Sequence, residues 1–410
     1  MGSQNITVAA LDIGTSQVRA VIGRGNKEQG IRVIGVGTKV SEGVRKGIII
    51  NSDETMKIAR AAVECAEQDA KTQVDHVYLS IGGSHIQSSS ACAVLNILEG
   101  DETVQEKHIN ELLEKTRSNA AEKGRGYLHV IPQEYRLDGH GSVVNPDGLK
   151  ASRIEASMHV ITADTTLLEN HARIVNDAGF HIHDICFSVI ADGYCVLSEQ
   201  EKKDGVLLID IGGGSTCYAV YFNNTVYYSN VFGVGGDHVT NDIALGLHLT
   251  TSEAEELKQH YSKMALKVDE PNVIKMKTHE QKTKSISRQD VEMIIDSRIE
   301  ELLRFVYDDV EQRQFRPLLA KGVVLVGGST CIHRFVERVG KVFSMPIRIG
   351  VPQLLSPDDP HTELDLYSDR HEFLRDTCYS TVLGMLKYGC RQQFSSSKMS
   401  SGFFKKLFSR

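Results

Sequence analysis

The sequence predicts an α/β protein of two related lobes, with a small α+β unit inserted in the first. Three segments carry that prediction. Val8–Gly23 (VAALDIGTSQVRAVIG) and Val206–Phe222 (VLLIDIGGGSTCYAVYF) share one pattern roughly two hundred residues apart. In each, a β-branched and aliphatic run stops at Asp-Ile-Gly, passes through small residues and resumes as alternating apolar residues, the pattern of a hairpin. The third segment, Gly322–Gly340 (GVVLVGGSTCIHRFVERVG), gives an apolar run, then Gly327-Gly328, then Ser329 or Thr330 as an N-cap. Ile332, Phe335, Val336 and Val339 follow at helical spacing, so this reads as strand, glycine turn, helix.

Composition sets the frame. At 410 residues the chain exceeds what one core serves, so two to four compact units are expected. Hydrophobic residues make up 41% and charged residues 24%, ordinary globular usage. No stretch approaches the roughly 20 apolar residues of a membrane-spanning helix, which predicts a soluble or at most peripheral protein. The start, MGSQNITVAALDIG, shows no basic region followed by a hydrophobic one, so no secretory signal is expected. Ile6 stands where a myristoylation pattern needs Ser or Thr. Cys65, Cys92, Cys186, Cys195, Cys217, Cys331, Cys378 and Cys390 are scattered singly, which suits reduced thiols and no structural metal. A net charge of -7 argues against nucleic acid as a partner.

The expected division follows the repeats: 1–84 and 162–205 form the first lobe, 206–245 and 322–390 the second. Residues 85–161 read as strand, helix (Val104–Lys123), strand (Tyr127–Leu137) and strand (Arg153–Ile161), the inserted unit. Residues 246–321 are more polar, with a Lys-rich stretch (NVIKMKTHEQKTKS) expected as loops and edge strands before a long helix. Ser287-Arg-Gln-Asp290 resembles a capping box opening that helix. Val291, Ile294, Ile295, Ile299, Leu302, Leu303, Val306 and Val310 form its apolar stripe, and Pro317 follows its end. Residues 391–402 are Ser-rich and read as a flexible linker.

Residues 403–410 read as a short amphipathic helix. At 100° per residue Phe403, Phe404, Leu407 and Phe408 fall within an arc of about 140°, opposite Lys405 and Lys406. From Arg391 onward there are five basic residues and no acidic one. That is an apolar face for acyl chains and a basic face for an anionic membrane surface; a frayed tail or a helix packed on the body is the alternative.

Phosphates bind where backbone N–H groups converge with no side chains in the way, which suits Gly212-Gly213-Gly214-Ser215 and Gly14-Thr15-Ser16, each between two strands. Asp12 and Asp210, one ahead of each turn, would face each other and hold Mg²⁺ through water. One such copy is compatible with a plain hairpin turn. Two in register, joined by the Gly327-Gly328-Ser329 element, point to a nucleotide, because a helix start after a glycine pair is itself an anion site.

These segments resemble the first phosphate loop (DIGTS), second phosphate loop (DIGGGS) and adenosine motif (LVGGST) of the actin-like ATPase superfamily. The resemblance implies a ribonuclease H-like duplicated two-lobed fold that binds ATP with Mg²⁺. FGVGGDHVTNDIA (Phe232–Ala244) and EAEELKQHY (Glu253–Tyr261) are similar to the superfamily's Gly-Gly helix start, here Gly235 and Gly236, and to its adenine-side Glu255 and Lys258. The chain departs from the superfamily at Cys217, where an acidic residue often stands, and at Ser262, where Gly is expected. Weak hydrolysis or none is therefore expected.

Within the superfamily the chain resembles the FtsA family at YLHVIPQEYRLDG (Tyr127–Gly139), NPDGL (Asn145–Leu149) and MHVIT (Met158–Thr162), all in the inserted unit. VYLSIGGSHI, IRIGVP and YSTVLGMLKYG extend the likeness from Val8 to Gly389. The resemblance implies a cell division protein on the cytoplasmic face of the inner membrane, at the division site. It would polymerise with itself, bind the C-terminal tail of FtsZ on 246–321 and recruit later division proteins. Arg298, at the border of the long helix's stripe, is the expected FtsZ contact; a solvated Arg packing its stem on the core is the alternative. Sugar kinases and chaperone ATPases share the phosphate loops, but no sugar-site motif or substrate domain is present. A pilus-assembly ATPase of the same superfamily is the nearer alternative, disfavoured by the amphipathic terminus.

Overall fold

The fold was described from a computed structural model, which places residues 5–26, 30–97, 103–264, 272–277, 283–353 and 369–395. The expected linker beyond 395 and the amphipathic segment 403–410 lie outside the described residues.

The first hairpin is β1 (Ile6–Ile13) and β2 (Gln17–Asn26), extended by β3 (Gly30–Val40). A two-residue pair, β4 (Val44–Arg45) and β5 (Ile48–Ile49), leads to α1 (Ser52–Ala70) and β6 (His76–Ile81). The inserted unit follows as β7 (Ile86–Asn96), α2 (Glu106–Asn119), β8 (Arg125–Leu137), β9 (His140–Val143) and β10 (Arg153–Asp164). The chain then returns through α3 (Thr165–Asp177), β11 (His181–Phe187), α4 (Ser188–Val196) and α5 (Glu199–Asp204).

The second lobe opens with β12 (Val206–Ile211), β13 (Thr216–Phe222) and β14 (Thr225–Phe232), then α6 (Gly236–Gly246) and α7 (Thr251–Met264). A ribbon, β15 (Val273–Lys277) and β16 (Thr283–Ser287), precedes α8 (Arg288–Gln312). The lobe closes with β17 (Val323–Val326), a 3₁₀ turn (Gly328–Cys331), α9 (Phe335–Phe343) and β18 (Ile347–Ile349). A second 3₁₀ turn, Thr377–Tyr379, feeds α10 (Ser380–Ser395).

The two large sheets have one topology. The first runs β3-β2-β1-β6-β11 and the second β14-β13-β12-β17-β18, each with three antiparallel strands followed by two parallel ones. Strands of the second sheet are apolar on both faces because both are covered. Leu207, Ile209, Val323 and Leu325 join a core with α6, α7, α8 and α9, while Val206, Leu208, Val324 and Val326 join the core of the first lobe. Ser287 caps α8 by accepting the Asp290 N–H, and every stripe residue named above is buried except Ile294, which is half-buried beside Gly246.

The structure differs from the sequence reading in three places. The inserted helix spans Glu106–Asn119, shorter than Val104–Lys123: Gln105, in an extended conformation, caps its start, and the backbone leaves the helical region at Ala120. No α-helix starts at Ser329 or Thr330: both lie in the single 3₁₀ turn Gly328–Cys331, after which the chain becomes extended at Ile332, and their hydroxyls donate to Gly212 O at 3.1 Å and to Gly327 O at 2.8 Å. The helix waits until Phe335, behind Arg334 in the left-handed region, and Val336 is exposed. Finally, α10 falls in the span assigned to the second lobe but packs on α4, β1, β2 and β6. Val382, Leu383, Met385 and Leu386 supply its apolar contacts to the first lobe's core.

The inserted four-stranded sheet, ordered β7-β10-β8-β9, has its own small core of Val104, Leu112, Ile154 and Met158 among others. It also touches both lobes. His129 accepts the Phe187 N–H of β11 at 3.0 Å. His159 Nε2 bonds the Ser229 hydroxyl of β14 at 2.8 Å, Thr225 donates to Pro132 O at 2.9 Å and Ser88 donates to Ser229 O. Burial holds both histidines neutral, pushing His129 down to about 4 and His159 to about 3.

Candidate functional site

Both hairpins close with the same turn. Gly14 N donates to Gln17 O at 3.1 Å, and Gly212 N donates to Ser215 O at 3.0 Å. The two turns meet across a cleft of about 130 Å³ lined by Asp12, Gly14, Thr15, Ser16, Asp210, Gly212, Gly213, Gly214, Ser215, Gly327 and Gly328.

The approach of the turns explains the glycines. A Cβ on Gly213 would lie 2.1 Å from the Ser16 hydroxyl, and one on Gly214 would meet Thr15 Oγ1 at 2.6 Å and Lys46 N at 2.7 Å. Gly327, at φ +91, would bring a Cβ to 2.4 Å from Asp210. Behind the second turn, Gly212 O accepts Gly236 N at 2.9 Å and Gly213 O accepts Asp237 N at 2.7 Å. In a trans peptide the N–H opposes the C=O, so the Gly213 and Gly214 N–H groups point away from α6, toward the cleft.

The carboxylates differ in company. Asp12 pairs in register with Arg19 and accepts from the Ser80 hydroxyl at 2.5 Å; burial raises its pKa, with Ser80 and Arg19 opposing. Asp210 pairs with Cys217, and burial together with the charge of Asp12 pushes it up to about 7. Burial also raises the Cys217 thiol, which rests 3.7 Å from the Ser188 hydroxyl and stays protonated. Beneath them lies Asp192 of α4, fully buried. Its Oδ1 accepts from Thr381 at 2.9 Å, its Oδ2 has no partner among the described residues, and burial raises its pKa well above the carboxylate range.

The remaining expected residues sit close by. Gly235 is the N-cap of α6 and Gly236 its first residue, directly behind the second turn. Ser329 braces that turn through Gly212 O. Lys258 pairs with Glu255 at 2.7 Å and donates to Gly236 O and Thr240, so the two flank α6 rather than line the cleft floor. Ser262 donates to Lys258 O at 2.8 Å. Arg298 lies apart on α8, shared between Asp242 and Glu301. Sequence reading missed Arg19, Gly47, Gly82, Ser188, Asp192, Cys378 and Thr381. Of these Asp192 carried a signal: it is the lone charge in an apolar helix, SVIADGYCV.

The lining fits a nucleotide with a hydrated cation. Converging N–H groups, hydroxyls of Thr15, Ser16 and Ser215, and two facing carboxylates with only Arg19 to balance them leave the floor short of positive charge. Among the described residues no three His, Cys, Asp or Glu side chains are grouped to ligate a metal directly.

Among solved structures the chain resembles that titled "PilM-PilN type IV pilus biogenesis complex" (TM-score 0.67, 14% identity, 93% of this chain and 98% of that one). It also resembles MreB5 of Spiroplasma citri (TM-score 0.53, 13% identity, 96% and 99%). With the paired turns, these define the class: the fold is that of the actin-like ATPase superfamily. Sequence comparison narrows it. The family profile "Cell division protein FtsA" matches residues 207–384, and "SHS2 domain inserted in FTSA" matches residues 83–162. Cell division protein FtsA of Pseudomonas aeruginosa is 31% identical over 397 residues, covering 96% of this chain and 91% of that protein. That of Neisseria meningitidis is 31% identical over 399 residues, covering 95% and 92%, and that of Bacillus subtilis 29% over 393, covering 95% and 84%. The chain belongs to the FtsA family of cell division proteins. Among the described residues no helix is long and apolar enough to cross a membrane.

Proposed function

We propose that the chain binds Mg-ATP in the cleft, polymerises, and ties FtsZ filaments to the cytoplasmic face of the membrane at the division site, where it recruits later division proteins. The observation that carries this reading is the meeting of two glycine turns with the same closure, each preceded by a half-buried aspartate, across one cleft. Gly14, Thr15 and Ser16 on one side and Gly212, Gly213, Gly214 and Ser215 on the other would hold the phosphates. Gly235, Gly236, Glu255, Lys258, Gly327, Gly328 and Ser329 would frame the nucleoside. Asp12 and Asp210 would hold Mg²⁺ through water, and the cation would supply the positive charge that the phosphates and the two carboxylates need.

The matching order of the two sheets supports a duplicated ribonuclease H-like core. The corresponding division is 1–84 with 162–205 and α10, 85–161, 206–245 with 322–353, and 246–321. FtsZ's C-terminal tail would dock on 246–321; there the ion pairs of Arg298 would have to open for it to contact that tail. Phe403, Phe404, Leu407 and Phe408 would enter the bilayer with Lys405 and Lys406 at the headgroups. Eight residues bind weakly alone, so polymerisation would join many anchors into one.

The test is recruitment of FtsZ to anionic liposomes by the full-length protein with and without Mg-ATP. ATP-dependent recruitment that vanishes on removing residues 403–410, with ATP binding kept, is the expected result. Undiminished liposome binding by the shortened protein would refute the anchor.

A further inference from the structure

At the mouth of the cleft two cysteines lean on one carboxylate. Cys331 ends the 3₁₀ turn of the second lobe and is exposed; Cys378 lies in the turn feeding α10 and lines the cleft. The Cys331 thiol donates to Asp376 Oδ1 at 3.6 Å, and the same oxygen accepts the Cys378 backbone N–H at 3.1 Å. The Asp376 carboxylate also bonds the Cys378 thiol. One residue back on each turn, the Thr330 and Thr377 hydroxyls touch at 2.9 Å, fixing the turns side by side. The first turn belongs to the second lobe's sheet and the other leads into a helix packed on the first, so the two thiols share the Asp376 carboxylate between lobes.

We propose that Cys331 and Cys378 are an oxidation site, joined into a disulfide across the cleft mouth by exchange with a low-molecular-weight disulfide. The Cys331 thiolate attacks one sulfur of the small disulfide and displaces one small thiol. Cys378 then attacks Cys331 Sγ and displaces the second. The protein gives up two electrons and two protons, and the small disulfide becomes two thiols. The bridge ties the Gly327-Gly328 turn to the first lobe and fixes the width of the cleft. Burial, Asp376 and the neighbouring thiol hold Cys378 up at about 12, against Arg19. Burial and Asp376 hold Cys331 at about 11, against Thr377 and Arg19. Exchange is therefore slow at neutral pH and quickens about tenfold per pH unit as the thiolate fraction grows.

The effect on ligand binding rests on the nucleotide reading above; the bridge itself does not. The reduced full-length protein is incubated with oxidised glutathione at about pH 8.5, and its peptides are mapped without reduction. The expected product is a Cys331–Cys378 peptide pair, absent from Cys331→Ser and from Cys378→Ser and slowed about tenfold by saturating Mg-ATP, which covers Cys378. Glutathione adducts on Cys331 that never resolve, or Cys331 linked as readily to exposed Cys92 as to Cys378, would overturn the proposal. A bridge that forms at the same rate with and without Mg-ATP, in a protein shown to bind no nucleotide, overturns the nucleotide reading and leaves the oxidation site standing.

Discussion

The two hairpins share a backbone and differ in charge. Each runs strand, Asp-Ile-Gly, four-residue turn, strand, with the same N–H to carbonyl closure. Across the first, Asp12 meets Arg19 and the Ser80 hydroxyl. Across the second, Asp210 meets a buried neutral thiol and is pushed up to about 7. The two hairpins therefore share the geometry that presents backbone N–H groups, while the side chains that fix ionisation differ. At the second hairpin burial and the charge of Asp12, opposed by Arg19, work against ionising Asp210, so a bound cation there would favour its charged form.

Four measurements sharpen or break that contrast. Asp210→Ala is expected to lower Mg-dependent ATP affinity about a hundredfold or more while circular dichroism stays native, since two carboxylates are needed to place the hydrated ion; ATP affinity equal to wild type would break the comparison at its centre. Next come the glycines of the second turn. Gly214→Ala drives a Cβ into the backbone of Lys46 and should cost about 1–3 kcal/mol in urea unfolding. Gly213→Ala meets only the ends of the Ser16 and Asp237 side chains, which can rotate, and should cost less.

The third concerns pH. Asp210's folded pKa of about 7 lies above its ordinary value of 3.8, so between those values the folded state holds a proton that the unfolded chain has released. The associated stability is full below the ordinary value and is lost as pH rises through about 7. Asp192, raised by burial, acts in the same direction. The melting temperature of the nucleotide-free protein should fall from about pH 5 to pH 8, and Asp210→Asn should flatten that fall more than Asp12→Asn. Equal flattening by the two variants would mean that the hairpins are electrostatically alike. The smallest signal is hydrolysis: with Cys217 protonated opposite Asp210, phosphate release should stay below the roughly 1–100 per second of dedicated kinases, measured by a coupled phosphate assay.

Much of the cleft was legible because its makers are local. Each hairpin is a continuous apolar run broken by glycine, and Ser287 with the stripe from Val291 to Val310 announced α8. What sequence reading missed is tertiary. Ser188 and Thr381 reach the cleft because α4 and α10 cross against each other, so tightly that a Cβ on Gly384 would lie 1.9 Å from Ala191 O. The helix expected at Ser329 starts only at Phe335, because after one 3₁₀ turn the chain extends again at Ile332, a break that the apolar spacing did not announce. The boundary of the second lobe failed at α10, whose apolar stripe does not say which sheet it covers.

The seam between the inserted sheet and β14 also has a history in time. Ser88 and Ser229 are 141 residues apart in the chain, and His159 and Ser229 are 70 apart. A nascent chain completes the inserted sheet at Asp164 and reaches Ser229 only 65 residues later (229 − 164). At about 5–20 residues per second that interval lasts roughly 3–13 s. Throughout it the surface around His159 that will meet β14 has no cover, although the sheet's own core is already complete. A substitution there, such as His159→Asp, should therefore be felt first on the ribosome, as lower soluble yield from chains caught by chaperones or lost to aggregation before the second lobe exists.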